Sequence, residues 1–269
     1  MEDSADLRAS RFVGEPLMFR SWSRRSVCAL AATLLCGWLP ATASAQLNTN
    51  GEFYFVHGLP GTDLGLPNAL PVDVCIGIPG SGTLNCFYIG VEFGQFRGPI
   101  ELAQGVYQVT VAPADPMNPG SQPPIISGII TIQPRQSKTF VAHLTQFGDP
   151  TGTEFQNDVS RIALINSRAT IRHVAAAGAV DVSLTPVVPG PGTVATGLTN
   201  PNQSSPVNLM SGTYVARLKP AGQPNELIPS KQLSLAPLNA NFVYVVGSPA
   251  NGTLQFLVQN FRLKPKLLP

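Results

Sequence analysis

Two patterns of apolar residues divide the chain. Near the start a single unbroken block, Val27 to Leu39, follows Arg24-Arg25 and gives way to the small residues Ala43-Ser44-Ala45. Beyond Gln46 the pattern changes to short runs rich in β-branched residues, broken roughly every dozen residues by Gly, Pro or Asn. No stretch there holds a helical period over three turns. Many short strands at this spacing predict an all-β protein of antiparallel sandwiches. Alternation is imperfect: Val106, Gln108, Val109 and Thr110 do not sort onto two faces, so the pattern fixes strands better than faces.

The N-terminal block has the order of a secretory signal: charged residues, a short apolar run, a small-residue cleavage site. A membrane-spanning helix needs about 20 apolar residues, and this block is shorter. Cleavage after Ala45 is expected, leaving Gln46 first. Residues before Met18 add nothing a signal needs, so translation from either Met1 or Met18 fits. Ser23-Arg24-Arg25 permits twin-arginine export, but the loose continuation Ser26-Val27-Cys28 favours ordinary secretion. Thr33-Leu34-Leu35 before Cys36 lacks the small residue that precedes a lipidated cysteine. The expected location is outside the cytoplasm: periplasm, cell surface or medium, with no transmembrane anchor after cleavage.

The later part reads as two copies. Val56-His57 and Val72-Asp73-Val74 recur as Arg172-His173-Val174 and Val180-Asp181-Val182. Gly105-Val106-Tyr107-Gln108-Val109 answers Gly212-Thr213-Tyr214-Val215-Ala216, and Thr139-Phe140-Val141-Ala142 aligns with Asn241-Phe242-Val243-Tyr244. The order of these landmarks predicts two tandem immunoglobulin-like antiparallel β-sandwich domains, 46–166 and 167–269, after a signal peptide in 1–45. No long linker separates them, so a short, fairly rigid connection near Ser167 is expected.

Removing the signal changes the charge and the chemistry. Five of the seventeen basic and four of the fifteen acidic residues lie before Gln46, leaving twelve against eleven. A nearly neutral surface offers neither the phosphate neutralisation that nucleic acid requires nor a polybasic membrane patch. Arg262, Lys264 and Lys266 read as a solvated tail. Both tryptophans, Trp22 and Trp38, go with the signal, as do two of four cysteines. Cys75 and Cys86 remain, in a compartment where a disulfide persists. Pro79-Gly80 suits the centre of a type II turn. A loop from Pro79 to Gly82 pairs Ile78 with Thr83, and counting outward sets Cys75 opposite Cys86, within bridging range.

These landmarks, a strand ending in Val-His, then Val-Asp-Val, then Gly-x-Tyr, resemble a bacterial family of secreted repeats known only as domain of unknown function 4397. The resemblance spans most of Phe53 to Phe261 in two copies. It implies secreted or surface β-sandwich modules with no catalytic residues to carry over. The chain departs from the family pattern after Val-Asp-Val, with the cysteine-bearing turn in the first copy and a proline-rich loop from Pro186 to Pro191 in the second.

Candidate chemistry is sparse. His57 and His173 hold matching positions in separate copies, and with His143 they make three histidines, too dispersed for zinc, which needs three or four converging ligands. Asp73 and Asp181 also match; an aspartate between valines either faces solvent or accepts hydrogen bonds from a nearby loop. No run of carboxylates suits calcium. Gly80-Ser81-Gly82 reads as turn chemistry, not a nucleophile elbow. Phe53, Tyr54, Phe55, Phe87, Tyr88, Phe93 and Phe96 form the aromatic set from which a glycan site could be drawn, although most of them are expected in the core. Asn202-Gln203-Ser204 and Asn251-Gly252-Thr253 match glycosylation sequons. No cofactor, metal or catalytic residue is expected. The favoured function is a secreted or cell-envelope, non-catalytic module of structural or adhesive role, with an unknown envelope or extracellular partner. A glycan or small-ligand binding protein is the alternative, and a hydrolase the third reading.

Overall fold

The computed structural model describes residues 49–266. The expected signal peptide and cleavage site lie outside those residues. The first sandwich is built from β1 (Asn50–His57), β2 (Val72–Gly77), β3 (Asn85–Val91), β4 (Phe96–Ala103), β5 (Gly105–Pro113), β6 (Ile126–Ile132), β7 (Ser137–Leu144) and β8 (Pro150–Gln156). They form two sheets, in orders β4-β1-β7-β8 and β3-β2-β5-β6. The second is built from β9 (Asn166–His173), β10 (Val180–Pro186), β11 (Thr193–Leu198), β12 (Asn202–Gln203), β13 (Val207–Met210), β14 (Gly212–Pro220), β15 (Lys231–Leu235), β16 (Asn239–Val246) and β17 (Gln255–Arg262). Its sheets run β12-β9-β16-β17, with β13 also on β9, and β11-β10-β14-β15. The fold is all-β. Pairing between these strands is antiparallel except where β1 meets β7 and β9 meets β16, one parallel pair in each sandwich, and an isolated parallel bridge joins Ile162 to Pro265.

Those parallel pairs sit where burial is deepest. Each sandwich has its own core: Phe53, Phe55, Val74, Val111 and Phe140 in the first, Ile171, Val182, Leu218, Val243 and Phe256 in the second. A third cluster lies between the sandwiches, with Val56, Val141 and Phe155 from one side meeting Phe242, Tyr244, Val246 and Phe261 from the other. The described residues are therefore four sheets deep, and the central strands β7, β9 and β16 of the two inner sheets are covered on both faces. All eight residues of β7 are buried. These strands therefore carry no simple apolar–polar alternation: β7 and β9 bury polar side chains such as Lys138, Thr139, Arg168 and Arg172 among their apolar ones. Burying one large apolar side chain contributes about 1.5–3 kcal/mol, so the seam adds substantially to either core.

Register corrects one sequence alignment. Val56 pairs with Val141 in the first sandwich, and Arg172 with Tyr244 in the second. With Val56 and Arg172 equivalent, Val141 answers Tyr244, and Phe140 answers Val243. Aligning Phe140 with Phe242 was off by one, and a one-residue slip reverses faces. Phe140 points into the first core, whereas Phe242 points into the seam.

The hairpin between β2 and β3 has the expected register. Ser81 N donates to Ile78 O at 3.1 Å, and Gly80 takes φ 77°, the geometry of a type II turn centred on Pro79-Gly80. Ile76 pairs with Asn85 and Cys75 with Cys86, and the two cysteines form a disulfide. Their Cα atoms stand 3.8 Å apart, closer than an ordinary opposed pair, beside a bulge that leaves Phe87 without a counterpart.

Candidate functional site

The sequence-matched histidines do the same local job in both sandwiches. His57 Nε2 lies 2.8 Å from Leu70 O, and Leu59 N reaches His57 Nδ1 at 3.4 Å. A carbonyl only accepts, so Nε2 carries the proton and Nδ1 accepts. His173 repeats this with Gly178 O at 2.9 Å and Ala175 N at 3.5 Å. His143 donates from Nδ1 to Leu144 O at 2.7 Å and accepts at Nε2 from the Thr153 hydroxyl at 2.8 Å. Burial holds His57 and His143 down to about 4, and it also lowers His173; the backbone carbonyls oppose this only in part. All three rings thus have both nitrogens engaged by protein atoms.

The matched aspartates are loop clamps. Asp73 is fully buried and accepts from the backbone N–H groups of Gly90, Asp115 and Gly120 at 3.0, 3.2 and 3.1 Å. Asp181 accepts from Gly197 and Gly222 at 2.7 and 2.9 Å. Those two backbone bonds, Gly222 first, hold its carboxyl below the usual range. Gly90 and Gly197 occupy equivalent bulges with φ 61° in each, a left-handed conformation suited to glycine. Of the two readings open for these aspartates, the second applies: they organise loops. The glycine before Val91 and before Leu198 was the sequence signal that would have linked them.

Sequence reasoning missed the polar network at the seam. Arg172 is fully buried, with its guanidinium 4.2 Å from the Phe242 ring centre, 4.7 Å from Phe155 and 5.3 Å from Tyr244. It donates to Gln203 Oε1, Tyr244 Oη, Gln156 O and Asn157 Oδ1 at 2.7–3.0 Å. Gln156 and Asn157 belong to the first sandwich, so the side chain bridges the two. Three aromatic faces and four acceptors stand in for a carboxylate partner. Burial nevertheless lowers its pKa, with the Tyr244 hydroxyl acting in the opposite sense. The available signal was an arginine placed between Ile171 and His173 in a stretch otherwise bounded by apolar residues.

The network ends at an open groove. Tyr244 accepts from Arg172 and donates its own proton to Gln259 Oε1 at 2.8 Å. Gln259 lines a groove of about 240 Å³ at the edge of the seam, together with Tyr54, Phe96, Arg97, Asn260 and Phe261. Tyr54 meets Phe261 edge to face at 4.5 Å. Two further grooves occupy equivalent ends of the outer sheets. One, of about 350 Å³, lies beside Ile78, Phe87 and Tyr107; the other, of about 220 Å³, beside Val188, Met210 and Tyr214. In both, the tyrosine hydroxyl donates to the carbonyl four residues earlier, Ala103 or Met210, at 2.9 Å.

The remaining candidates are dispersed. Phe53, Phe55 and Tyr88 belong to the first core, Tyr54, Phe93 and Phe96 lie against the seam, and Phe87 is 46 % exposed. Ser81 donates to Ile78 O within its turn. Asn251 and Thr253 both donate to the Asp63 carboxylate, tying a β16–β17 loop to the first sandwich. Asn202 donates to the Thr199 hydroxyl at 2.8 Å. Arg262, Lys264 and Lys266 have exposed side chains, but their backbone is held beside Ile162 and Leu238. Among the described residues no three His, Cys, Asp or Glu side chains converge as a metal site would require. Nor is any described helix long and apolar enough to cross a membrane.

No curated protein matches the chain. Among solved structures it is similar to the Bacillus anthracis TIE protein, at 11 % identity and a TM-score of 0.21, over 74 % of this chain and 33 % of that one. The chain thus spans about a third of that protein's length. It is also similar to the fimbrial anchor protein Mfa2 from Porphyromonas gingivalis, at 7 % identity and a TM-score of 0.22, over 79 % and 96 % of the respective chains. Likenesses of that level carry no argument about role. Residues 64–183, from the turn before β2 through β9 and into β10, match the model of a family described as domain of unknown function (DUF4397).

Proposed function

We propose that the protein is an exported, non-catalytic scaffold or adhesive module that works outside the cytoplasm, with its two sandwiches acting as one stiff body. The observation that carries this reading is the seam. Two inner sheets that share an apolar cluster and are bridged by Arg172 leave little freedom between the sandwiches. A body of that kind suits a spacer or a presented surface. The matched histidines and aspartates support the non-catalytic reading, because their polar atoms are engaged in holding backbone rather than facing a cleft. The Cys75–Cys86 disulfide supports an oxidising location. We read both sandwiches as copies of the DUF4397 unit, since bulge glycine, clamping aspartate and loop-holding histidine recur in each.

The test is localisation combined with thiol state. In the native producer, the full-length protein should fractionate outside the cytoplasm, with Cys75 and Cys86 refusing an alkylating reagent until reduced. Recovery in the cytoplasm with both thiols labelled would overturn the proposal. A second reading, a binding protein for a small ligand, is favoured by the groove beside Gln259.

A further inference from the structure

The groove at the edge of the seam combines three features that packing alone does not require. The first is an oriented amide. An arginine only donates, so the Tyr244 oxygen accepts from Arg172, and the Tyr244 proton passes to Gln259 Oε1. That order leaves the Gln259 Nε2 hydrogens facing away from the network. Gln259 is only 6 % exposed, yet it lines the groove, and its N–H groups have no protein acceptor among the described residues. An amide that lines the groove with its acceptor half locked in place by Tyr244 is a preset donor.

The second feature is the backbone beneath Tyr54. Phe53 pairs with Ile100 and Phe55 with Arg97, so Tyr54 faces two residues, Gly98 and Pro99, across a bulge. Gly98 takes φ 117°, and a Cβ there would fall 2.8 Å from Phe53 O and 2.9 Å from Tyr54 Cδ1. No larger residue fits against the ring. Bulges of this kind re-aim side chains beside binding sites. Here the bulge sets Tyr54 against Phe261 as one wall of the groove.

The third is charge. The Arg97 guanidinium, the charged group in the groove's lining, is drawn back to Gln95 Oε1 at 2.6 Å and Phe96 O at 3.1 Å, while the Glu52 carboxylate, outside that lining, accepts from the Tyr54 hydroxyl at 3.2 Å. The groove therefore offers a neutral amide donor and aromatic carbon beside a cation already engaged by protein acceptors, which favours a neutral ligand.

We infer that this groove binds a neutral, hydroxyl-rich ring, the pyranose unit of an uncharged glycan. Ring hydroxyls accept from Gln259 Nε2, and the apolar C–H face of the sugar lies against Tyr54 and against Phe261, which β17 turns to the same face as Gln259. At about 240 Å³ the groove takes one such ring, with neighbouring units running out along the seam. The inference goes beyond the scaffold reading. Its failure would leave the localisation and thiol results untouched.

The experiment follows the side-chain amide signal of Gln259 by NMR while the purified exported chain is titrated with cellobiose, maltose and chitobiose, and separately with digalacturonate. Saturable shifts of that amide with at least one neutral disaccharide, and none with digalacturonate, are expected. Gln259→Met and Tyr54→Ala should each weaken binding roughly tenfold. Phe87→Ala, in a distant groove, should leave it unchanged. The inference is overturned if no neutral disaccharide moves Gln259, if either Gln259→Met or Tyr54→Ala binds like the parent, or if digalacturonate is preferred.

Discussion

Arg172 illustrates how one residue can hold two sandwiches together at a cost. A guanidinium taken out of water loses several kcal/mol of hydration, and no carboxylate here returns it. Planar stacking on Phe155 and Phe242 and the four-way donation compensate, and both depend on the shape of the group as much as on its charge. Lysine would keep the charge in the dry seam and lose the fork and the stack. Methionine would remove the charge, fill similar volume and leave several acceptors without a donor. Arg172→Lys is therefore expected to destabilise by about 3 kcal/mol, and Arg172→Met by less, in urea denaturation at pH 7. A lysine variant as stable as the parent would mean that charge alone matters.

The buried histidines make a second prediction at this scale. Unfolded imidazoles bind protons near pH 6.5, whereas native His57 and His143 remain neutral down to about 4. Between those values the unfolded state carries more protons, so stability falls as pH falls. Each ring accounts for about 3 kcal/mol once the pH is below both values, and His173 acts in the same direction. Denaturation midpoints should hold steady above pH 7 and drop between about 6.5 and 4, with His143→Gln flattening part of the fall. A flat profile over that window would show that the rings are already charged in the native state.

At the scale of elements, the β2–β3 hairpin was legible and the inner strands were not, for a physical reason. Turn chemistry is local: Pro79-Gly80 set the register, and the register set the disulfide. The faces of β1, β7, β9 and β16 depend on what covers them, and a strand buried on both sides carries no alternation to read. That is why Phe140 and Phe242 looked equivalent and why Arg172 passed as a mere landmark. The aspartate clamps were half legible, since the Val-Asp-Val match was visible but its distant donors, Gly90 and Gly120, were not. Gly120, with φ 76°, lies directly over the disulfide, where an added Cβ would come within 2.6 Å of Cys86 Sγ. Asp73 and the disulfide thus hold one loop against the outer sheet from two points. Asp73→Ala strands three part-buried donors and should cost about 1–3 kcal/mol, with protease cleavage appearing in residues 114–122. Asp181→Ala, which releases two donors at a more exposed site, should cost less.

At the scale of the whole molecule, the question is whether two sandwiches behave as two proteins or one. Beads on a string would unfold separately, each with its own core. Here the seam has the character of a third core: Phe242 stacks on Arg172 and meets Phe261 at 5.2 Å, while Asn200 bridges Leu144 O and Ala175 O at 2.8 and 2.6 Å. Losing one sandwich would expose the inner face of the other, so neither can unfold without removing part of its neighbour's support. Calorimetry should show a single transition whose van't Hoff and calorimetric enthalpies agree. Phe242→Ala removes about 3–5 kcal/mol from the seam and should split that transition in two. Leu218→Ala makes a comparable cavity inside the second core and should lower the midpoint while keeping one transition, because the coupling is left intact. If both variants split the transition, or neither does, the seam is not what joins the two halves.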